Sequence, residues 1–563
     1  MNSLPLDQNL RPSLKPSLLS IAVRNSIVLL GMAHASVNAA EITVTSNLDD
    51  NGNGCTLREA INSANSSFDL SNGCAVGSDS GIDQINFDST AFANVNTITL
   101  NNGQLLLAGK ELEINAQSIG GVTISANSQS RVMQITGGDI TLNSITVSDG
   151  RDLSEGAGIL ISNSAKVMLT QSEVSNNLLP FSENGSPEGA GINIQNSTLS
   201  LHNSEITRNT CLDNICSGGG IYALDNNVIN ITGSEISDNV ISNVSSSRHN
   251  GMLVAGANNM ITITNSRFSN PGGAAIRIDS DGSSEFDLID SVIENNGADG
   301  DSSVVSIRLL DLRRVNIMRS RISDNSSAGT AAGLDIDNVE STQIIDSVIS
   351  NNTGGGQLVA AGMELRNTDF VIHNTTISNN TLTTRFEDFA GGAGVLVQDI
   401  DYGLFNNVTM SDNNIEINNR SYGSSLAAID NATLVMQNSI IANSEGAPTD
   451  CFLSSNSQLT IDSASIIEDG SCGATQSGDP GLLALADNGG PTPTHALSPN
   501  SIAINTGDTS TCLETDQRGA ARDALCDVGA FEFGASVPNE IDDNAAELFV
   551  IPLPNGKTVI FSL

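Results

Sequence analysis

Leu201-His202-Asn203-Ser204-Glu205-Ile206-Thr207-Arg208-Asn209 is the stretch that decides the fold, because it comes back. Variants of it stand at 231–239 (ITGSEISDN), 289–296 (IDSVIENN), 318–325 (MRSRISDN), 345–352 (IDSVISNN) and 372–380 (IHNTTISNN). Its Ser position is read at Ser144, Ser172, Ser204, Ser234, Ser266, Ser291, Ser320, Ser347, Thr375, Val408 and Ser439, at intervals of 25 to 33 residues. Self-similarity at such a period marks a solenoid, in which each unit buries its apolar face only against its neighbours.

Two residues past the Ser, the series Val174, Ile206, Ile236, Phe268, Ile293, Ile322, Ile349, Ile377, Met410 and Ile441 is apolar throughout. Stacked at about 4.8 Å per coil, it predicts an inner column whose members each contribute roughly 1.5–3 kcal/mol on burial. About half a repeat earlier a second phrase recurs, as in GAGILI (156–161), GAGINI (189–194), GLDI (333–336), GMEL (362–365) and GAGVLV (392–397). Its alternation reads as another strand, with glycines permitting a sharp bend before it. Five residues past the Ser stand Asn177, Asn209, Asn239, Asn296, Asn325, Asn352, Asn380 and Asn413, a predicted asparagine ladder in which each amide bonds to the next coil. A leucine-rich repeat would need a Leu-rich phrase and a helix per unit, whereas these units are β-branched and broken by Asn, Gly and Asp. The expectation is an all-β, single-stranded, right-handed parallel β-helix over residues 91–475.

Composition narrows the function. With 23 Lys+Arg against 63 Asp+Glu, the net charge of −40 repels phosphate backbones, so nucleic acid is not expected as a partner. Residues 1–40 read as a signal peptide: Arg11, Lys15 and Arg24 precede the apolar Ile27-Val28-Leu29-Leu30, and Val37-Asn38-Ala39 offers a small-residue cleavage site. No later apolar run reaches the roughly 20 residues a spanning helix needs. The eight cysteines fall as close neighbours, and an even count in an exported chain points to disulfides. Eight cysteines allow 105 pairings. Nearest-neighbour closure, Cys55–Cys74, Cys211–Cys216, Cys451–Cys472 and Cys512–Cys526, is the simplest in a repeat whose distant segments never meet.

A solenoid leaves raw strand edges at both ends, and the sequence offers a cover for each. At the amino end Thr56 stands three before Glu59, a capping-box signature, with Leu57, Ala60, Ile61 and Ala64 on one helical face, so a short helix is expected to plug the first coil. Cys55-Thr56-Leu57-Arg58-Glu59-Ala60 resembles the motif of the CSLREA domain family, with Thr for its Ser, over roughly residues 41–90. Asp49, Asn51, Asn53 and Gly54 resemble the start of a calcium loop, although Ala60 rather than an acid stands at its twelfth position, so calcium is the one metal suggested and no cofactor is required. At the carboxyl end, residues 476–534 resemble the choice-of-anchor Q domain. The matching positions are Asp487, Asn488, Gly489, Gly490, Thr494, His495, Ala496 and Leu497, then Asp516, Arg518, Gly519, Arg522, Cys526, Asp527, Gly529 and Glu532. These charges are read as a paired cap tied by Cys512–Cys526. The tail, 535–563, reads as a hairpin about Asn555-Gly556. Both resemblances imply an exported β-helix protein, secreted or at the cell surface of a Gram-negative bacterium.

The fold is similar to that of pectate lyases and other polysaccharide-cleaving β-helix enzymes, but fold alone does not imply function. Aligning the second phrase puts Arg277, Arg308, Asp335 and Glu364 in one outward column, with Asp337 and Arg366 two residues along; this is the groove candidate. Arg313, Arg314, Arg319 and Arg321 add a local basic cluster, and no nucleophile–base pair is assigned. The chain has no Trp and three Tyr, little of the flat aromatic surface that sugar recognition commonly uses. The preferred expectation is therefore a non-enzymatic rod for adhesion to an extracellular glycan or surface protein, its oligomeric state open. The alternative is a polysaccharide lyase or hydrolase centred on Arg308, Asp335 and Glu364.

Overall fold

The computed structural model describes residues 39–49, 54–66, 70, 73–94, 96–181, 187–213, 216–242, 249–297, 305–328, 331–355, 359–383, 391–416 and 422–538, with the backbone of strands Leu548–Pro552 and Thr558–Ser562. The expected signal peptide lies outside these residues, except for Ala39 and Ala40.

Each repeat forms one coil built on three main strands, to which, among the described residues, six coils add a short fourth. In the coil that carries the deciding phrase, Thr198–His202 joins the first sheet, Glu205–Thr207 the second, and Ile221–Leu224 the third. The three sheets hold 15, 14 and 13 strands, and every strand in them pairs with the equivalent strand of the next coil. Pairing is parallel, as in Glu205↔Glu235 and Ile206↔Ile236. The column from Val174 to Ile441 is fully buried, and with the inward residues of the other two sheets it forms one continuous core. The chain is a parallel β-helix.

The corners explain the sequence phrase. A single residue with φ near +50°, such as Asn203 or Asp290, turns the chain from first to second sheet. Asn and Asp tolerate that left-handed region better than other side chains. The next residue is the Ser: Ser204 Oγ accepts the backbone N–H of Ser172 at 3.1 Å, and Ser234 Oγ that of Ser204 at 3.0 Å. Ser144 is the exception. It occupies the left-handed turn itself (φ 56°), so Ile145 fills the ladder slot and donates its N–H to Ser172 Oγ. The slot expected for Ser144 is therefore taken by Ile145, and the hydroxyl row begins at Ser172.

The predicted asparagine ladder is present and longer. Asn325 donates its backbone N–H and its Nδ2 to Asn352 Oδ1, at 3.2 and 2.9 Å, and its Nδ2 also to the Ile293 carbonyl. Asn177, Asn209, Asn239, Asn296, Asn352, Asn380 and Asn413 sit in equivalent places, none more than 2% exposed. Asn270 completes the row, accepting from Asn239 and donating its N–H to Asn296. Its coil has one turn residue fewer, which moved it off the five-residue spacing. The glycines have two roles rather than the single bend expected. Gly189, with φ +65°, makes the turn, whereas Gly362 leaves room for the ladder: a Cβ there would lie 3.0 Å from the Asn380 amide and 2.5 Å from a backbone oxygen.

At the amino end the helix Leu57–Ser66 buries Leu57, Ala60, Ile61 and Ala64. The capping box forms: Glu59 N–H donates to Thr56 Oγ1, and Thr56 N–H to Glu59 Oε2. At the other end the turn Ser471–Gly473 closes the last coil, with Cys472 packed on the core and bonded to Cys451. The segment after it does not cap the end, as expected for residues 476–534. It folds back along the outer face of the second sheet, where Leu497, Ala503, Val528 and Phe531 pack on Ile440, Ala442 and Ile466. The turn asparagines of the solenoid hold it: Asn374 Nδ2 donates to the Thr515 carbonyl, Asn407 Nδ2 to that of Gly529, and Asn438 Nδ2 to that of Asp508. All four expected disulfides are formed, and all eight cysteines are used. The two tail strands pair antiparallel, Val550 opposite Ile560, while Asn555 and Gly556 lie outside the described residues.

Replacing Asn352 by Ala strands two buried N–H groups of Asn325. It should lower the unfolding free energy by about 3 kcal/mol, read from guanidinium denaturation.

Candidate functional site

In the third sheet inward and outward residues alternate, so burial of Ile307, Leu309, Leu334 and Ile336 turns Arg308 and Asp335 outward. Register then stacks Arg277↔Arg308, Arg308↔Asp335 and Asp335↔Glu364, with Asp337↔Arg366 alongside. The structure thus brings the whole groove candidate together, and Arg366 is its hub. Its Nη2 lies 2.9 Å from Asp335 Oδ1, its Nε 3.2 Å from Asp337 Oδ2, and its Nη1 contacts Glu364 Oε1.

Asp335 and Glu364 are each 3% exposed, although they leave the sheet on its outer side. Burial pushes Glu364 up to about 7, reinforced by the Asp335 charge and opposed by Arg366. Burial raises Asp335 as well, against the pull of Arg366 and Arg308. Burial alone would lower Arg366, but Asp335, Glu364 and Asp337 outweigh it and hold the guanidinium more firmly protonated than usual. At the other end, His249 Nε2 lies 3.1 Å from Arg277 Nη1. An arginine can only donate, so Nε2 accepts and Nδ1 carries the proton. Burial, and then the charges of Arg277 and Arg308, lower His249 to about 3, so the ring is neutral.

The basic cluster is neutralised where it stands. Arg313 and Arg314 meet Glu285, Arg314 also Asp287, Arg319 forks onto Asp290, and Arg321 pairs with Glu294. Asp49 receives an Arg58 fork at 2.7 and 3.0 Å and the N–H groups of Asn101 and Asn102, so its oxygens are already engaged; Asn51 and Asn53 lie outside the described residues. Among the described residues, no group of three or more His, Cys, Asp or Glu is arranged to hold a metal ion.

In the carboxyl-terminal module, Arg518 forks onto the fully buried Asp516, and Arg522 bonds Glu532 at 3.2 Å. Arg518 also stacks 3.7 Å from the Phe531 ring centre. One pairing escaped the sequence: Ser378 Oγ lies 2.7 Å from His495 Nε2, whose Nδ1 faces the Leu483 carbonyl at 2.7 Å. The two residues are 117 positions apart, and nothing in the local phrase around either marks the other. Both are buried, at 0–2% exposure, so this serine–histidine pair latches the module to the second sheet instead of facing a substrate.

A family model described as right handed beta helix region matches residues 235–384, the part that carries the charged strip. The chain is a right-handed parallel β-helix. No curated protein and no solved structure matches it.

Two pH effects arise in this β-helix. Glu364 binds its proton more tightly when folded, so its contribution is complete below pH 4.5 and is lost as pH rises toward 7. Glu364→Gln should therefore gain on the wild type by up to about 1.4 kcal/mol per pH unit across that window in chemical denaturation. Burial lowers His495, so its contribution is complete above pH 6.5 and declines on acidification. The stability gap between wild type and His495→Gln should accordingly narrow from pH 7 to pH 5.

Proposed function

We propose that this β-helix is an exported, non-enzymatic rod at the cell surface or outside the cell of a Gram-negative bacterium. In this reading it presents its faces to an extracellular glycan or surface protein. The observation that carries it is the charged strip, whose carboxylates are all tied to Arg366 and so are occupied in holding the face together. Four disulfides that leave no cysteine free fit an oxidising compartment. Among the described residues no helix is long and apolar enough to cross a membrane. The terminal segments are read as a CSLREA-type module at 41–90 and a choice-of-anchor Q-like module at 476–534, the second serving as a lateral brace.

A second reading, cleavage of a polysaccharide, draws on one feature: Glu364 changes protonation near neutrality beside Asp335 and two coils from Arg308. Cell fractionation with thiol labelling should find the protein outside the cytoplasm with no reactive cysteine. Screening anionic and neutral glycans should give no new reducing ends or unsaturated products; turnover abolished by Arg308→Ala or Glu364→Gln would overturn the rod.

A further inference from the structure

We infer that Arg277 and Arg308 form a binding site for an oxyanion, a sulfate, phosphate or carboxylate group carried by a ligand. The two guanidinium side chains stand directly opposite each other on adjacent coils, a like-charge juxtaposition that weakens a sheet unless an anion lies between. They are open to solvent, with 22% and 33% of their side chains exposed.

Their bonding is incomplete in a way that distinguishes them from neighbouring arginines. Arg314, Arg321 and Arg366 all direct their Nη groups onto carboxylates at adjacent positions. Arg277 spends Nε on Asp279, at 2.7 and 2.9 Å, and Nη1 on His249. Among the described residues Arg308 meets only Asp335 Oδ2, 3.3 Å from its Nε, and this buried Nε makes no well-formed hydrogen bond with any of them. Among the described residues neither Nη of Arg308 has a partner. The Asp335 carboxylate is already shared with Arg366, so it cannot turn fully toward Arg308. His249 Nδ1, the protonated nitrogen of a neutral ring, is a further buried N–H in the same cluster without a hydrogen bond to any described residue.

Parallel N–H donors on guanidinium planes are the arrangement that recognises oxyanions, and burial of part of the site keeps water from competing fully. The inference stands apart from the question of export, because it concerns only what these two side chains bind.

Melting of the wild type, Arg308→Gln and Arg308→Lys in sodium sulfate, sodium acetate and sodium chloride at equal ionic strength tests it. Sulfate or acetate should raise the wild-type melting temperature over chloride by about 2 °C more than it raises that of Arg308→Gln, with Arg308→Lys between. A larger acetate effect assigns a carboxylate, a larger sulfate effect a tetrahedral group. Wild-type crystals soaked in selenate should show an anomalous peak between the two guanidinium groups. Equal increments in wild type and Arg308→Gln, or no peak, overturns the site, and a peak that persists in Arg308→Gln marks an adventitious ion only and also overturns it. Should Arg308→Gln lose its circular dichroism spectrum, the wild-type soak decides alone.

Discussion

The structure depends on keeping every coil in register with the next, and buried side-chain amides and hydroxyls do this at the corners where strands cannot. A parallel sheet satisfies backbone groups along its strands, but a coil that turns three times exposes N–H and C=O groups at each bend. The Asn and Ser rows pair those groups across coils. Most Asn side chains of the row, Asn352 among them, accept two hydrogen bonds from one neighbour, so a slip by one residue would leave several buried donors unpaired at once. The apolar column supplies the driving force for burial, and the amide row sets the register in which burial happens.

Much of this was legible in the sequence because the physical requirement repeats. A column such as Ile322, Ile349 and Ile377 must be apolar in every coil, and Asn325, Asn352 and Asn380 must reach the same partner in every coil. Sequence reading went astray where one coil differs in length. Asn270 stands a residue closer to its Ser than the others, and Ser144 sits in a turn that Ser tolerates. The charged strip was also legible, because strand register alone fixes which residues stack.

Contacts between the coils and the carboxyl-terminal segment stayed hidden in the sequence. Ser378 and His495 meet only because that segment folds back along the side of the rod, and no periodicity announces its path. The same holds for burial in the strip. Register predicts that Asp335 and Glu364 stack, but it does not predict their near-complete loss of solvent, nor the raised proton affinity of Glu364 that follows from it. The split within one strip comes from Arg366: where it reaches, carboxylates are consumed, and beyond its reach Arg277 and Arg308 are left facing each other.

The lateral return of the carboxyl-terminal segment also orders assembly in time. Coils can wind on one another as they emerge, since each touches only its neighbours. The brace joins residues up to 148 positions apart, such as Thr376 with Gln517 and Asn374 with Arg522. Such distant partners must wait for nearly the whole chain and close slowly. The molecule is thus wound from one end and fastened last from the other, so a chain interrupted late would carry a nearly finished rod with its clasp still undone.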